Sequence, residues 1–340
     1  MMERHFGLKT SCQQLIPFRK GGILLVVGSI GYDTIYGPIE SGTSLLGGSA
    51  TYCSIAGSNL TKVAVLAVVG TDFKAEHLAT LQAHGINIDG IEKDLNGKTF
   101  AWSVRYDDTD INSRETLETQ LNVLATFKPQ INDSHQKERI LFLANMHPAL
   151  QIQVIQDMRH KPKWIGLDTM NYWIDSELET LTAAIKMADI IFMDEGELRT
   201  YSQSSNVFDA ARKILNLGPT FVVAKRGENG VILIHADWAF AAPAFPVSTV
   251  VDPTGAGDSF AGGFMGFLDA NKDLSPDLFK RAVIIGSIMG SFAVGALSTN
   301  GINNLDYMNF EKRFNDLYAL TQFDALQVNE RLPWTAKPTQ

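Results

Sequence analysis

Six short apolar runs, each closed by a polar or glycine-rich turn, restrict the fold of this chain more than any other feature. They occupy residues 23–27, 63–69, 140–143, 164–167, 190–193 and 220–224. A strand with one face in water alternates apolar and polar residues, whereas a continuous apolar run needs cover on both faces. Helix-like stretches at 50–60, 74–84, 148–159, 177–187 and 207–217 supply that cover. Strands alternating with helices predict an α/β architecture, a Rossmann-like, doubly wound, mostly parallel sheet with helices on both faces. After residue 250 the pattern turns mostly helical.

Two segments break the alternation. Residues 35–45 form a short stretch containing Gly and Pro, and residues 98–106 alternate in the manner of a half-exposed strand. Both suit a small β-sheet lid over one edge of the main domain. The economical organisation is an N-terminal extension over 1–21, one domain over 22–325 and a C-terminal tail over 326–340, with the lid drawn from about 34–46 and 98–122.

Composition narrows the function. A hydrophobic fraction of 45% with 19% charged residues describes a chain that buries a core, not a disordered one. The formal net charge of -8 argues against a nucleic-acid partner, which calls for a basic surface. Two cysteines, Cys12 and Cys53, allow no zinc spacing and fit a reducing, cytoplasmic setting. The N-terminus lacks the apolar core of a secretory signal. The most apolar segment, 282–297, is shorter than the roughly 20 residues of a membrane span and reads as a buried helix, so no membrane partner is expected.

The chemistry concentrates in residues 250–264, Val-Val-Asp-Pro-Thr-Gly-Ala-Gly-Asp-Ser-Phe-Ala-Gly-Gly-Phe. Asp252 precedes Pro253 and is therefore pushed to extended geometry, ending the preceding stretch. Thr254 is expected to cap the helix that follows. Gly255, Ala256 and Gly257 keep side chains small where backbone must approach a ligand. The free amides of a helix start, with its dipole, form an anion site suited to phosphate. Asp258 falls in the first turn of that helix. A proton acceptor beside a phosphate pocket is what phosphoryl transfer to a hydroxyl needs. The plain alternative is a glycine-rich helix start with a dipole-stabilising Asp, and it accounts poorly for so long a string.

The segment from Asp252 to Phe264 closely resembles the C-terminal signature of the ribokinase-like (PfkB) kinases, and the resemblance extends over almost all of residues 22–325. It implies a ribokinase-like domain with a β-sheet lid, ATP with Mg2+ as donor, and transfer of the γ-phosphoryl to a substrate hydroxyl. By the same resemblance Asp258 is the base, and the amides of Gly255, Ala256 and Gly257 are the anion hole.

On the substrate side, Asp33 stands where the family places an Asp that accepts hydrogen bonds from sugar hydroxyls. Gly31 stands where its sugar kinases often carry Asn. Gly47 and Gly48 open a stretch resembling the N-terminal signature, with Tyr52 in the place of its usual Asn. Asp168 and Asn171, at a strand end, are further candidates, since ligands of open α/β sheets gather there. The polar segment 112–122 corresponds to a region that faces the site in relatives, so its Arg114, Thr119, Gln120 and Asn122 are candidates to reach the substrate, and a solvated loop is an equal alternative.

On the nucleotide side, Asp194 and Glu197 occupy the family's Asn-x-x-Glu element, which organises magnesium and phosphates. Here Asp replaces the Asn. Lys225 is a candidate phosphate partner at the position of a frequent Thr or Ser, Gly227 and Gly230 suit a tight turn near the nucleotide, and Thr254 borders the phosphates. A sugar is the first expectation for the acceptor and a nucleoside the alternative. An aromatic clamp from Phe100, Trp102, Tyr106, or Tyr172 with Trp173 would favour the nucleoside. A non-catalytic nucleotide-binding module predicts loss of the base or the glycines, and both are present. A homodimer built on the lid's exposed edge completes the expectations.

Overall fold

The computed structural model describes residues 22–324 apart from 134, 137, 273 and 274, so the expected terminal extension and tail lie outside the described residues. Its strands, in chain order, are β1 (Ile23–Val27), β2 (Gly31–Tyr36), β3 (Ser41–Gly47), β4 (Lys62–Val69), β5 (Asn87–Lys93), β6 (Phe100–Tyr106), β7 (Arg114–Gln120), β8 (Ile140–Leu143), β9 (Trp164–Asp168), β10 (Ile190–Asp194), β11 (Phe221–Lys225), β12 (Val231–Ile234) and β13 (Ala239–Ala242). Nine of them form one sheet in the order β13-β12-β11-β10-β9-β8-β1-β4-β5. Neighbours from β5 to β11 run parallel, and β12 and β13 close the other edge as an antiparallel meander.

The continuous apolar runs are explained by the two faces of this sheet. Leu24 and Val26 of β1 enter one core, beneath the helices Ser49–Ser58, Ala256–Ala270 and Pro276–Ala293. Leu25 and Val27 enter the other, beneath Pro148–Asp157, Leu178–Ile185 and Val207–Leu215. Four of the five residues of β1 are buried and Ile23 is half-buried, so all five are apolar. The apolar stretch at 282–297 supplies most of the helix Pro276–Ala293, with Ala282, Val283, Ile288 and Met289 in the core. Among the described residues, no helix is long and apolar enough to cross a membrane.

The second sheet has four strands in the order β3-β2-β6-β7. It begins directly after β1, at Gly31, and residues 35–45 turn out to be parts of two strands joined by a tight turn. The polar segment 112–122 contains β7, a strand and not a solvated loop. All seven of its residues are exposed, so it carries no hydrophobic signal, and its backbone pairing to β6 is what makes it a strand. Strands β5, β12 and β13 also escape the sequence pattern: β5 and β13 are the two edges of the large sheet, β5 carrying Asp89 and Glu92, and β12 is only four residues long.

Candidate active site

The C-terminal ends of the parallel strands and the inner face of the lid converge on one helix start. The loop before that helix is shaped by Asp252, whose Oδ1 accepts the Thr254 N–H at 2.9 Å and whose Oδ2 accepts the Ser298 N–H at 2.8 Å. This fold of the loop displaces the expected cap. The helix Ala256–Ala270 is capped by Gly255, at φ 71°, and not by Thr254. Only glycine adopts that conformation freely, and the Tyr52 ring occupies the place where a Cβ would stand. Tyr52, found at the position of the family's Asn, is thus a buried buttress behind this loop.

The helix ladder opens with the Ser259 N–H donating to Gly255 O at 2.8 Å, which leaves the earlier amides outside it. Of the three expected anion-hole amides, that of Ala256 is shared with Pro253 O at 3.2 Å. The Gly255 and Gly257 N–H groups therefore offer the better donors. A Cβ on Gly257 would lie 3.3 Å from Lys225 Nζ, so an ammonium sits against the same point. Lys225 Nζ in turn bridges both oxygens of Asp168, at 3.0 and 2.9 Å. Burial alone would push the Lys225 ammonium down, but Asp168, Glu197 and Asp258 around it raise it and keep it protonated.

Asp258 stands in the first turn of the helix, half-buried. Loss of water and the nearby Asp168 push its carboxyl up to about 7, against the opposing pull of Lys225, Arg114 and its own N–H. Asp33, on β2, is buried and pushed up to about 8, first by desolvation and then by Asp252 and Asp258, with the Gly48 N–H pulling it down. Its carboxylate fills the space beside Gly47 that any larger residue would need. Asp33, Gly47, Gly48, Asp168, Lys225, Gly257 and Asp258 are thereby brought together.

Other candidates fall around this group. Asp194 Oδ1 accepts the Glu197 N–H and Glu197 Oε2 accepts the Asp194 N–H, both at 2.7 Å, closing a capping box on the helix Glu195–Ser202. Burial raises Glu197 to about 8 despite Lys225. Gly227 (φ 54°) and Gly230 (φ 84°) make the tight turn after β11. Asn171 is exposed at the start of the helix Asn171–Ser176. Asn122, also exposed, directs its amide away into a 2.9 Å bond to Thr99 O at the base of the lid.

Sequence reasoning overlooked how the lid meets this site. Tyr106, the last residue of β6, places its hydroxyl 2.9 Å from Thr254 Oγ1. A Cβ on Gly227 would lie 3.3 Å from Asn112 Oδ1, so the lid hairpin also touches the nucleotide-side turn. Across the lid, Leu45, Asp33, Trp102 and Thr119 stand in one register row, which sets an indole beside the Asp33 carboxyl. Trp102, Val104, Tyr106 and Ile35 pack together with Leu297 of the main domain, so this face looks inward.

Known proteins share this fold. Residues 38–303 match the pfkB family carbohydrate kinases. The chain is 28% identical over 251 residues to a cytidine kinase of Thermococcus kodakarensis, covering 71% of this chain and 87% of that one. The nucleoside kinase of Methanocaldococcus jannaschii, an archaeal member of the ribokinase family, superposes with a TM-score of 0.71 at 18% identity, over 87% of this chain and 99% of its own. The ribokinase of Arabidopsis thaliana complexed with ribose and ATP gives a TM-score of 0.69 at 19% identity, over 86% and 99%. With the fold, the lid and the helix-start signature in agreement, the chain belongs to the pfkB family of kinases, phosphotransferases with a hydroxyl acceptor.

Proposed function

We propose that this kinase transfers the γ-phosphoryl of Mg-ATP to a hydroxyl of a nucleoside, with Asp258 as general base. The observation that carries the chemistry is the meeting of Asp258 with the Gly255 and Gly257 amides and the Lys225 ammonium. Asp258, poised at about 7, takes the acceptor's hydroxyl proton as the bond to phosphorus forms. The amides and Lys225 balance the charge that develops on the transferring group.

The donor set of this chain fits a magnesium ion that arrives with the nucleotide. Asp194 and Glu197 each commit one oxygen to the capping box, and their second oxygens lie outside those two bonds. Magnesium keeps several waters and is held by one or two carboxylates together with substrate phosphates, so two such carboxylates are sufficient. Held there by Asp194 and Glu197, the ion would supply positive charge to offset that of the phosphates. Thr254, Gly227 and Gly230 border the nucleotide side of the same cleft.

The acceptor follows from the row Asp33–Trp102. Asp33 offers a carboxylate to paired hydroxyls, and the half-buried Trp102 beside it offers a flat apolar face. A ribose carrying a base uses both, and the cytidine kinase likeness supports the same choice. A free sugar is the second reading, favoured by a polar floor of Ser29 and Ser49, whose hydroxyls meet at 3.0 Å beside Gly48, the residue whose N–H bonds Asp33. Gly47, Gly48 and Asn171 border that floor. Strand β7 leaves an exposed lid edge on which a homodimer could pair, and sedimentation as monomer alone would remove that assembly.

The test is ADP release from Mg-ATP by purified protein over a panel of nucleosides and sugars, with Asp258→Asn alongside. A nucleoside-dependent signal lost in the variant is expected. Equal turnover by Asp258→Asn removes the base assignment, and response to sugars alone removes the nucleoside.

A further inference from the structure

Two roots of the lid are fastened to one short loop, through a residue for which the phosphoryl transfer itself has no use. Strands β2 and β6 pair in parallel from their first residues, Gly31 with Phe100. Residues 70–74, which follow β4, meet both of these starts. Thr99, buried just before β6, donates its N–H and its hydroxyl to the same oxygen, Asp72 Oδ1, each at 2.7 Å. Its Oγ1 also accepts the Gly70 N–H at 3.0 Å. On β2 the Tyr32 hydroxyl donates to Asp72 O at 3.1 Å and accepts the Lys74 N–H at 3.0 Å.

Other contacts tighten the same junction. The Thr71 N–H donates to Gly97 O at 2.9 Å, and a Cβ on Gly70 would run into the Lys98–Thr99 peptide. The third root, Asn122 at the exit of β7, donates its amide to Thr99 O at 2.9 Å. The Tyr32 ring packs on Phe73 and His77, with centroids 5.7 and 5.6 Å away. Taken alone this is a well-bonded turn, and the lid register extends its reach. Tyr32 adjoins Asp33, and Thr99 stands three residues before Trp102, the cross-strand partner of Asp33. Asp72 itself is exposed, so little of the core depends on its side chain.

We propose that Asp72 is a positioning residue: by clamping Thr99 with its carboxylate and Tyr32 with its carbonyl, it fixes the axis on which the lid closes, and so where Asp33 and Trp102 hold the acceptor relative to Asp258. The inference rests on the reading in which that pair receives the acceptor. A carboxylate oxygen suits the task, because hydrogen bonds to a charged acceptor are shorter and stronger than neutral ones. Transfer demands reacting atoms at about 3 Å, and a misplacement of about 1 Å costs roughly 100-fold in rate. A root free to rock spreads the acceptor hydroxyl over positions that miss the γ-phosphoryl, and a loosely closed lid admits water. The nucleotide side is built on β10 and β11, separated from β4 by β9, β8 and β1, so the clamp governs the acceptor and not ATP.

The experiment compares wild type, Asp72→Ala, Asp72→Asn and Tyr32→Phe on Mg-ATP and the nucleoside or sugar that gives the fastest ADP release in the panel. Asp72→Ala should stay folded, with a melting temperature lowered by less than about 6 °C. It should raise the acceptor KM about tenfold and lower kcat about tenfold, with the ATP KM within about twofold. The ATP hydrolysed per acceptor phosphorylated should rise about threefold or more. Asp72→Asn keeps an oxygen for both Thr99 groups and should stay within about threefold of wild type. Tyr32→Phe keeps the ring cluster, loses the bridge, and should move in the same direction by less. Amide exchange over residues 100–120 should quicken in Asp72→Ala while that of β8 to β10 holds. Wild-type kinetics in Asp72→Ala overturn the inference and leave the kinase reading intact. A fall in kcat with both KM values and the hydrolysis ratio unchanged also overturns it, being the mark of a smaller folded fraction. Asp72→Asn as impaired as Asp72→Ala does the same, because the acceptor oxygen is then not what matters. Absence of acceptor-dependent ADP release from wild type overturns the kinase reading and this inference together.

Discussion

The Tyr106 hydroxyl and Thr254 Oγ1 lie 2.9 Å apart although 148 residues separate them in the chain. The bond joins the last residue of a lid strand to the loop that leads into the helix Ala256–Ala270. Both groups are buried, so neither can trade its partner for water without moving the lid.

Tyr106→Phe therefore weakens closure more than folding. One net hydrogen bond is worth about 1 kcal/mol, which should raise the acceptor KM roughly fivefold. It should also raise the share of ATP that is hydrolysed without transfer, since a lid that opens admits water. Thr254→Val should do the same, and the double variant should be no worse than either single one. Additive effects in that cycle would show that the two side chains act separately.

The pH dependence of kcat/KM follows from Asp258. Its carboxyl is raised to about 7 by burial and Asp168, while Lys225 and Arg114 oppose the shift. A general base must be deprotonated, so kcat/KM should rise with pH and level off above about 7. An exposed carboxylate would give that limb near 4. A profile flat from pH 5 to 8 would contradict the base assignment. Asp33 and Glu197, both near 8, titrate close by, so the limb reports the group of carboxyls as well as Asp258.

The sheet was legible because its strands are buried on both faces: 23–27 and 190–193 carry an unbroken apolar signal. The lid was half legible, since β6 alternates while β7 is exposed throughout, polar but for Leu117, and owes its structure to pairing with β6. Asp258 and its glycines announce themselves through a dense local string. Lys225–Asp168 and Tyr106–Thr254 do not, because each joins residues far apart in sequence, and no spacing rule reaches across 57 or 148 positions. Thr254 was legible as a helix-start residue but not as a lid contact, because the left-handed step at Gly255 is set by Tyr52 and by the grip of Asp252 on the loop.

The ion pair of Lys225 with Asp168 is almost wholly buried, which makes its halves unequal to its whole. Lys225→Met removes the cation and leaves a buried carboxylate without its partner. That change should cost about 3–5 kcal/mol and lower the melting temperature by roughly 5–10 °C. Adding Asp168→Leu should recover most of the loss, because the desolvated charge is then gone. Activity should stay low in both variants, since Lys225 also faces Gly257. A double variant as unstable as Lys225→Met would show that packing, and not the unpaired charge, sets the cost.

Asp33 should weigh on stability in a pH-dependent way that its substitution reveals. Its folded-state carboxyl is raised to about 8 by burial and by Asp252 and Asp258, whereas in an unfolded chain it titrates near 4. Between those values the folded protein binds the extra proton, so stability falls as pH rises and the penalty is complete only above about 8. Asp33→Asn removes the ionisable group while keeping its size and its contact with Gly48. The variant should match wild type near pH 4 and melt higher as pH rises, by an amount on the order of a few kcal/mol at pH 8.5. On the proposed function it should also bind acceptor poorly, because an amide replaces the carboxyl proposed to meet the acceptor's hydroxyls. A gain that is largest in acid, or absent at every pH, would mean that Asp33 is ionised and well solvated in the folded protein. Greater stability combined with weaker acceptor binding would mark Asp33 as a residue kept for the substrate at the expense of the fold.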